Sequence, residues 1–102
     1  MSYVIVWEFE VQQGREKEFE RMYGPRGAWA RLFAKGKGYQ GTELLREEGS
    51  SRRYLTIDRW ESRGAYQRFK KEYAKEYAQM DEKGAGLTAQ ERKTGEFEES
   101  RQ

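Results

Sequence analysis

Tyr54-Leu55-Thr56-Ile57-Asp58-Arg59-Trp60-Glu61-Ser62-Arg63-Gly64-Ala65-Tyr66-Gln67-Arg68-Phe69 reads as a strand that runs directly into a helix. Trp60 stands at the hinge, and Ser62 is placed to cap the helix. Side chains alternate along a strand, so Thr56, Asp58 and Trp60 share one face. Tyr66 and Phe69, three residues apart, share one face of the helix that follows. The handover therefore gathers polar groups and three aromatics in one place.

Working back from this stretch, Gly49-Ser50-Ser51 is turn chemistry, so strands at Tyr39–Glu47 and Arg53–Glu61 form a hairpin. The first strand is Tyr3–Val11. Tyr3, Ile5, Trp7, Phe9 and Val11 line one face, while Val4 and Val6 make the other apolar at its start, which marks a strand covered on both sides. Gln13-Gly14 ends it. Arg15 to about Tyr23 reads as helix on Phe19, Met22 and Tyr23. Gly24-Pro25 interrupts it, with Pro25 expected in the first turn of a second helical piece that carries Trp29, Leu32 and Phe33.

Working forward, Ser62–Lys83 reads as one long helix with a stripe of Tyr66, Phe69, Tyr73, Tyr77 and Met80, closed by Gly84. Thr88 and Glu91 have the spacing of a capping box, which predicts a helical turn over Leu87–Arg92. Lys93–Glu98 is the expected last strand. A single domain over residues 1–99 is expected, with 100–102 frayed.

The order βαββαβ is that of an α+β, ferredoxin-like fold: a four-stranded antiparallel sheet with both helices on one side. The other side carries Val4, Val6, Leu55 and Ile57, and no helix remains to cover it. A second copy packed sheet to sheet would cover it, so a homodimer is expected.

The 102 residues make one small domain, for which oligomerisation is a stabilising device. Hydrophobic residues are 35% and charged residues 37%, a balance that alone would suggest disorder. Fifteen per cent Phe, Trp and Tyr argues instead for a packed core. The net charge of +2 is small and evenly spread, and no run of Gly and aromatics marks an RNA-binding strand, so nucleic acid is not an expected partner. No apolar run approaches membrane-spanning length, which points to the cytoplasm. There is no Cys and no His. That excludes disulfides, thiol nucleophiles, Ser-His-Asp chemistry and His-ligated haem or zinc.

The element order, the Gln13-Gly14 step into the first helix and the Trp60-Glu61-Ser62 junction resemble the antibiotic biosynthesis monooxygenase superfamily, whose members are small dimeric α+β barrels. The resemblance spans nearly the whole chain. It implies a monooxygenase that uses O2 without metal, flavin or other cofactor on an anthrone- or quinol-like aromatic compound. Members that oxidise anthrones place an Asn four residues before the junction Trp and a Tyr six residues after it. Here those positions hold Thr56 and Tyr66. A Tyr that they carry on the second strand falls at Leu44. Haem-degrading members differ more: their Asn, Trp and axial His fall at Trp7, Phe69 and Gln79.

With Asp58 singled out by its place between Thr56 and Trp60 on the strand face, and Thr56, Trp60 and Tyr66 by the resemblance, these four are the catalytic candidates, with Trp7, Phe9, Leu44, Phe69 and Tyr73 lining a substrate pocket and no metal involved. Trp60 and Tyr66 would position the substrate, and Asp58 or Thr56 would handle the proton. The residues also admit plainer readings. Trp60 and the aromatic stripe are ordinary core material. Asp58 is a buried proton acceptor, half of an ion pair with a nearby Arg or Lys, or a carboxylate at a strand end open to water. The alternative function is a non-catalytic dimeric binding or stress-related module of the same fold, its pocket filled by its own aromatics.

Overall fold

The computed structural model describes residues 2–49 and 51–100. Met1, Ser50 of the expected hairpin turn, and Arg101 and Gln102 of the C-terminal end expected to fray lie outside them. The elements are β1 (Tyr3–Val11), α1 (Glu16–Tyr23), α2 (Ala28–Phe33), β2 (Tyr39–Arg46), β3 (Arg53–Trp60), α3 (Arg63–Glu72), α4 (Ala74–Gly84), a single 3₁₀ turn (Ala85–Leu87) and β4 (Thr88–Glu98). The strands form one antiparallel sheet in the order β2-β3-β1-β4. The helices pack on one face of it, which is the ferredoxin-like arrangement that the element order predicts.

The core lies between that face and the helices. Tyr3, Ile5, Phe9 and Val11 from β1 meet Tyr54 and Trp60 from β3, with Phe19, Trp29, Phe33 and Phe69 from the helices above them. It is held mainly by aromatic rings. Phe19 stacks on Tyr23 with centroids 4.3 Å apart, and Phe9 meets the Phe19 ring edge-on at 5.2 Å. Ser62 caps α3 as expected, its hydroxyl accepting from the Ala65 N–H at 3.1 Å.

Three expectations are corrected. Pro25 does not open α2; it sits in the connection, and Gly27 is the N-cap. A Cβ at Gly27 would come within 2.4 Å of the Met22 carbonyl oxygen, so this tight link requires glycine. The long helix over Ser62–Lys83 is divided at Tyr73 (φ −112°, ψ 30°). There the Tyr73 hydroxyl donates to the Lys35 carbonyl at 3.2 Å, and Tyr77 one turn on packs edge-to-face on Trp29 at 5.0 Å. These tertiary contacts override a stripe that locally favours one straight helix.

The helical turn over Leu87–Arg92 does not form either. Val11 pairs with Thr88, Glu10 with Gln90 and Phe9 with Glu91, and β4 is eleven residues long. The edge of β1 presents backbone donors and acceptors that need partners along its whole length. A ladder satisfies all of them, whereas a cap at Thr88 would satisfy one or two.

The opposite sheet face has no helix. Val6 lies beside Ile57, Leu45 beside Leu55 and Val4 beside Phe97. Leu45 is 46% exposed and Phe97 47%. Ion pairs border this apolar band: Arg53 with Glu8 (2.8 Å) and Glu47 (2.9 Å), and Arg59 with Glu43 (3.3 Å). Hydrogen bonds from Arg53 and Arg92 hold the Glu8 carboxyl down at about 2. No helix among the described residues is long and apolar enough to cross a membrane.

One glycine tests the junction that decides the fold. Gly38 has φ +96°, and a Cβ there would stand 2.8 Å from the Ala65 Cβ. Its carbonyl accepts from the Glu61 N–H at 2.7 Å. Gly38→Ala therefore combines backbone strain with a clash at the start of α3. Thermal or urea unfolding is expected to show a loss of about 2 kcal/mol or more.

Candidate functional site

Thr56, Asp58 and Trp60 do share the helix-facing side of β3, and all three are buried. The strand register then separates their roles. Asp58 lies opposite Ile5 on β1 and Thr42 on β2, in the middle of the sheet. Thr42 donates from Oγ1 to Asp58 Oδ1 at 2.6 Å. The Tyr39 hydroxyl lies 2.5 Å from the same Thr42 oxygen. With Thr42 donating to Asp58, Tyr39 donates to Thr42, and a Tyr39–Thr42–Asp58 chain runs from β2 to the carboxylate.

Asp58 is 7% exposed and takes part in none of the salt bridges among the described residues. The ion-pair reading of this residue is therefore set aside. Burial raises its carboxyl from 3.8 to about 6, against a lowering effect of the Thr42 hydrogen bond. A single hydroxyl does not compensate for lost hydration, so the charged form is destabilised.

Asp58, Thr56 and Thr42 form the polar part of a cavity whose walls include Trp7, Phe9 and Phe33. Trp29 from α2 and Tyr77 from α4 close it, with Asp81 and Glu91 at its rim. The free volume is about 40 Å³, room for a few waters but not for a fused-ring substrate. Access for a larger molecule requires movement of the wall that α4 supplies. Burial pushes Tyr23 and Tyr77 up to about 12, so both stay neutral phenols near pH 7. Asp58, raised to about 6, lies close to neutrality, where a proton acceptor is most useful.

The other candidates lie elsewhere. Trp60 is fully buried in solid packing, its ring centroid 5.1 Å from Phe69, 5.3 Å from Tyr39, 5.7 Å from Tyr66 and 5.9 Å from Phe33. Tyr66 is buried beside it, and burial raises its phenol far above the ordinary value. Of the nine candidate residues, Asp58, Thr56, Trp7 and Phe9 line the cavity, whereas Trp60, Tyr66, Leu44, Phe69 and Tyr73 do not. Thr42, Tyr39, Trp29, Asp81 and Glu91 were not foreseen. Thr42 alone had a usable signal, because the β2–β3 hairpin register sets it directly across from Asp58. Among the described residues no group of three or more Asp or Glu is placed to hold a metal ion.

Fold and site together define a class: a ferredoxin-like sheet under a helical layer, with a buried acid deep in an aromatic cavity between them. The chain belongs to the antibiotic biosynthesis monooxygenase family, which it matches over residues 2–82. No curated protein matches it. Solved structures of the same fold include SnoaB, a cofactor-independent oxygenase from Streptomyces nogalater, at 24% identity and a TM-score of 0.78, covering 99% of this chain and 95% of that one. A Bordetella bronchiseptica protein assigned to the antibiotic biosynthesis monooxygenases superposes with a TM-score of 0.76 at 22% identity, covering 97% of each chain. A NIPSNAP family protein from Agrobacterium tumefaciens reaches 0.66 at 10% identity, covering 99% of this chain and 95% of that one, so the scaffold is not confined to one family name.

Proposed function

We propose that the protein oxidises a small aromatic compound of anthrone or quinol type with O2 and without a cofactor. The observation that carries this reading is Asp58: buried, without a cationic partner among the described residues, raised to about 6, and set in an aromatic cavity. For an anthrone, Asp58 takes a proton from the ring methylene, leaving an enolate. The enolate gives one electron to O2, and the radical pair combines to a carbon-bound peroxide, which is then protonated. Loss of the second methylene proton breaks the O–O bond. One oxygen stays as the new quinone carbonyl and the other leaves as water, so the substrate supplies all the electrons. The protein's contribution is orientation, a proton acceptor and exclusion of bulk water. The test is oxygen uptake and quinone formation with anthrones and quinols, using protein treated with a chelator. Activity that vanishes on chelation and returns with a metal would contradict the reading.

We also propose that the working unit is a homodimer joined through the helix-free sheet face. The apolar band of Val4, Val6, Leu55 and Ile57, with the exposed Leu45 and Phe97, supports this. Light scattering at micromolar concentration should give twice the chain mass. Ile57→Glu should yield monomer or unfolded chain, since it would bury an unpaired charge. A wild-type monomer with the same fold would contradict the proposal.

A second reading is favoured by the cavity's size. A volume of about 40 Å³ beside a fully packed Trp60 suits a binding module whose pocket is filled by its own aromatics. Failure of the parent protein to oxidise any anthrone, phenol or quinol would select it.

A further inference from the structure

Three carboxylates border this cavity, and none of them forms a salt bridge among the described residues. Asp58 lies deep, while Asp81 on α4 and Glu91 on β4 are exposed at the rim. Elsewhere several acids are paired, among them Glu8 with Arg53 and Arg92, Glu18 with Arg15, Glu43 with Arg59 and Glu96 with Lys93. The chain carries 20 Lys and Arg residues, so cations are not scarce, yet no Lys or Arg lines this cavity. Lys70 comes near one wall, 5.8 Å from the Tyr77 ring centroid, but it is not part of the lining. Partial burial raises Asp81, and burial together with the charge of Asp81 raises Glu91. Both acids would be relieved by a positive charge between them.

The walls supply a second, independent observation. Trp7, Tyr23, Trp29 and Tyr77 contribute aromatic rings, and such rings attract cations through their negative faces. Trp29 is 7% exposed, and its Nε1 lies by the Tyr23 hydroxyl without forming a well-aligned hydrogen bond to it or to any other group among the described residues. A buried donor in a cavity wall that is so weakly engaged is suited to an acceptor oxygen on a ligand.

We propose that the cavity, once widened by movement of α4, takes an aromatic substrate bearing a protonated amine, with the ammonium held by Asp81 and Glu91 against the Tyr77 ring and a ring oxygen accepting from Trp29 Nε1. This rests on the function proposed above only for what happens to the ring after binding. Substrates with a carboxylate in the amine's place are repelled by all three acids.

The test is anaerobic binding, read by tryptophan fluorescence and calorimetry, of three matched probes: 4-(aminomethyl)phenol, 4-(hydroxymethyl)phenol and 4-hydroxybenzoate. At pH 7.5 and low salt the amine is expected to bind about tenfold tighter than the alcohol, and the carboxylate weakest. The preference should shrink as ionic strength rises. Asp81→Asn with Glu91→Gln should bring the amine down to the alcohol's affinity; both residues are exposed, and circular dichroism checks the fold. Equal affinity for amine and alcohol, tighter binding of the carboxylate, no binding of the amine, or a preference that survives in the double variant would each overturn the proposal. An amine preference without any oxidation would leave this site intact and remove the oxygenase reading. Oxidation of neutral anthrones without an amine preference would do the reverse.

Discussion

Asp58→Asn is expected to lower kcat on an anthrone by roughly 10²–10⁴-fold, with a much smaller change in KM. The amide keeps the shape of the carboxylate and can still accept from Thr42, but it cannot take a proton. The same change should make the protein more stable. The native carboxyl lies at about 6 and the ordinary value is 3.8. Between these pH values the folded state holds a proton that the unfolded state has released. The stability associated with Asp58 is therefore greatest below pH 3.8 and is lost as pH rises through about 6. The difference corresponds to about 3 kcal/mol at pH 7.5. Much of it should be recovered in Asp58→Asn, as a rise in Tm of roughly 5–10 °C. The gain should disappear when the melt is repeated at pH 4. An activity loss accompanied by lower stability at pH 7.5 would mean instead that the carboxylate is a structural acceptor.

The largest stability loss is expected at Trp60. Its ring is fully buried against four other aromatics, and a Cβ at Gly36 would stand only 3.1 Å from it. Trp60→Ala should cost about 3–5 kcal/mol in urea unfolding. Part of the loss is offset because the indole Nε1 has no partner in the folded state. Trp60→Phe should cost less than half as much and keep activity within about tenfold of the parent, since Trp60 does not line the cavity. It touches the Tyr39 ring, and Tyr39 reaches Asp58 through Thr42. A large kcat loss in a stable Trp60→Phe protein would show that this chain, and not only Asp58, sets the rate.

The β1 and β3 patterns were legible because period-two alternation of apolar residues leaves little freedom in register or face. Ile5 opposite Asp58 and Val6 opposite Ile57 follow from it. The turn of β4 at Thr88 was not legible. Thr88-Ala89-Gln90-Glu91-Arg92 has no apolar alternation, and only the backbone needs of the neighbouring β1 draw it into the sheet. The break at Tyr73 has the same character, since its cause lies at Lys35 and Trp29, far away in the chain. The site divides in the same way. Asp58 stood out because a carboxylate on a buried strand face has to be explained. Thr56, Trp7 and Phe9 follow from strand alternation once that face is known. The acids at the rim were invisible, because Asp81 and Glu91 sit on elements whose crossing depends on that break and on the full length of β4.

The central claim is that Asp58 is the proton acceptor in a cofactor-free oxidation. The pH dependence of kcat/KM, measured on chelator-treated protein in air-saturated buffer with an oxidisable anthrone, tests it most directly. The account predicts a rate that rises with pH through an apparent pKa of about 6 and then levels, with that limb absent in Asp58→Asn. A folded Asp58→Asn protein with the parent's rate and the parent's pH profile would contradict it.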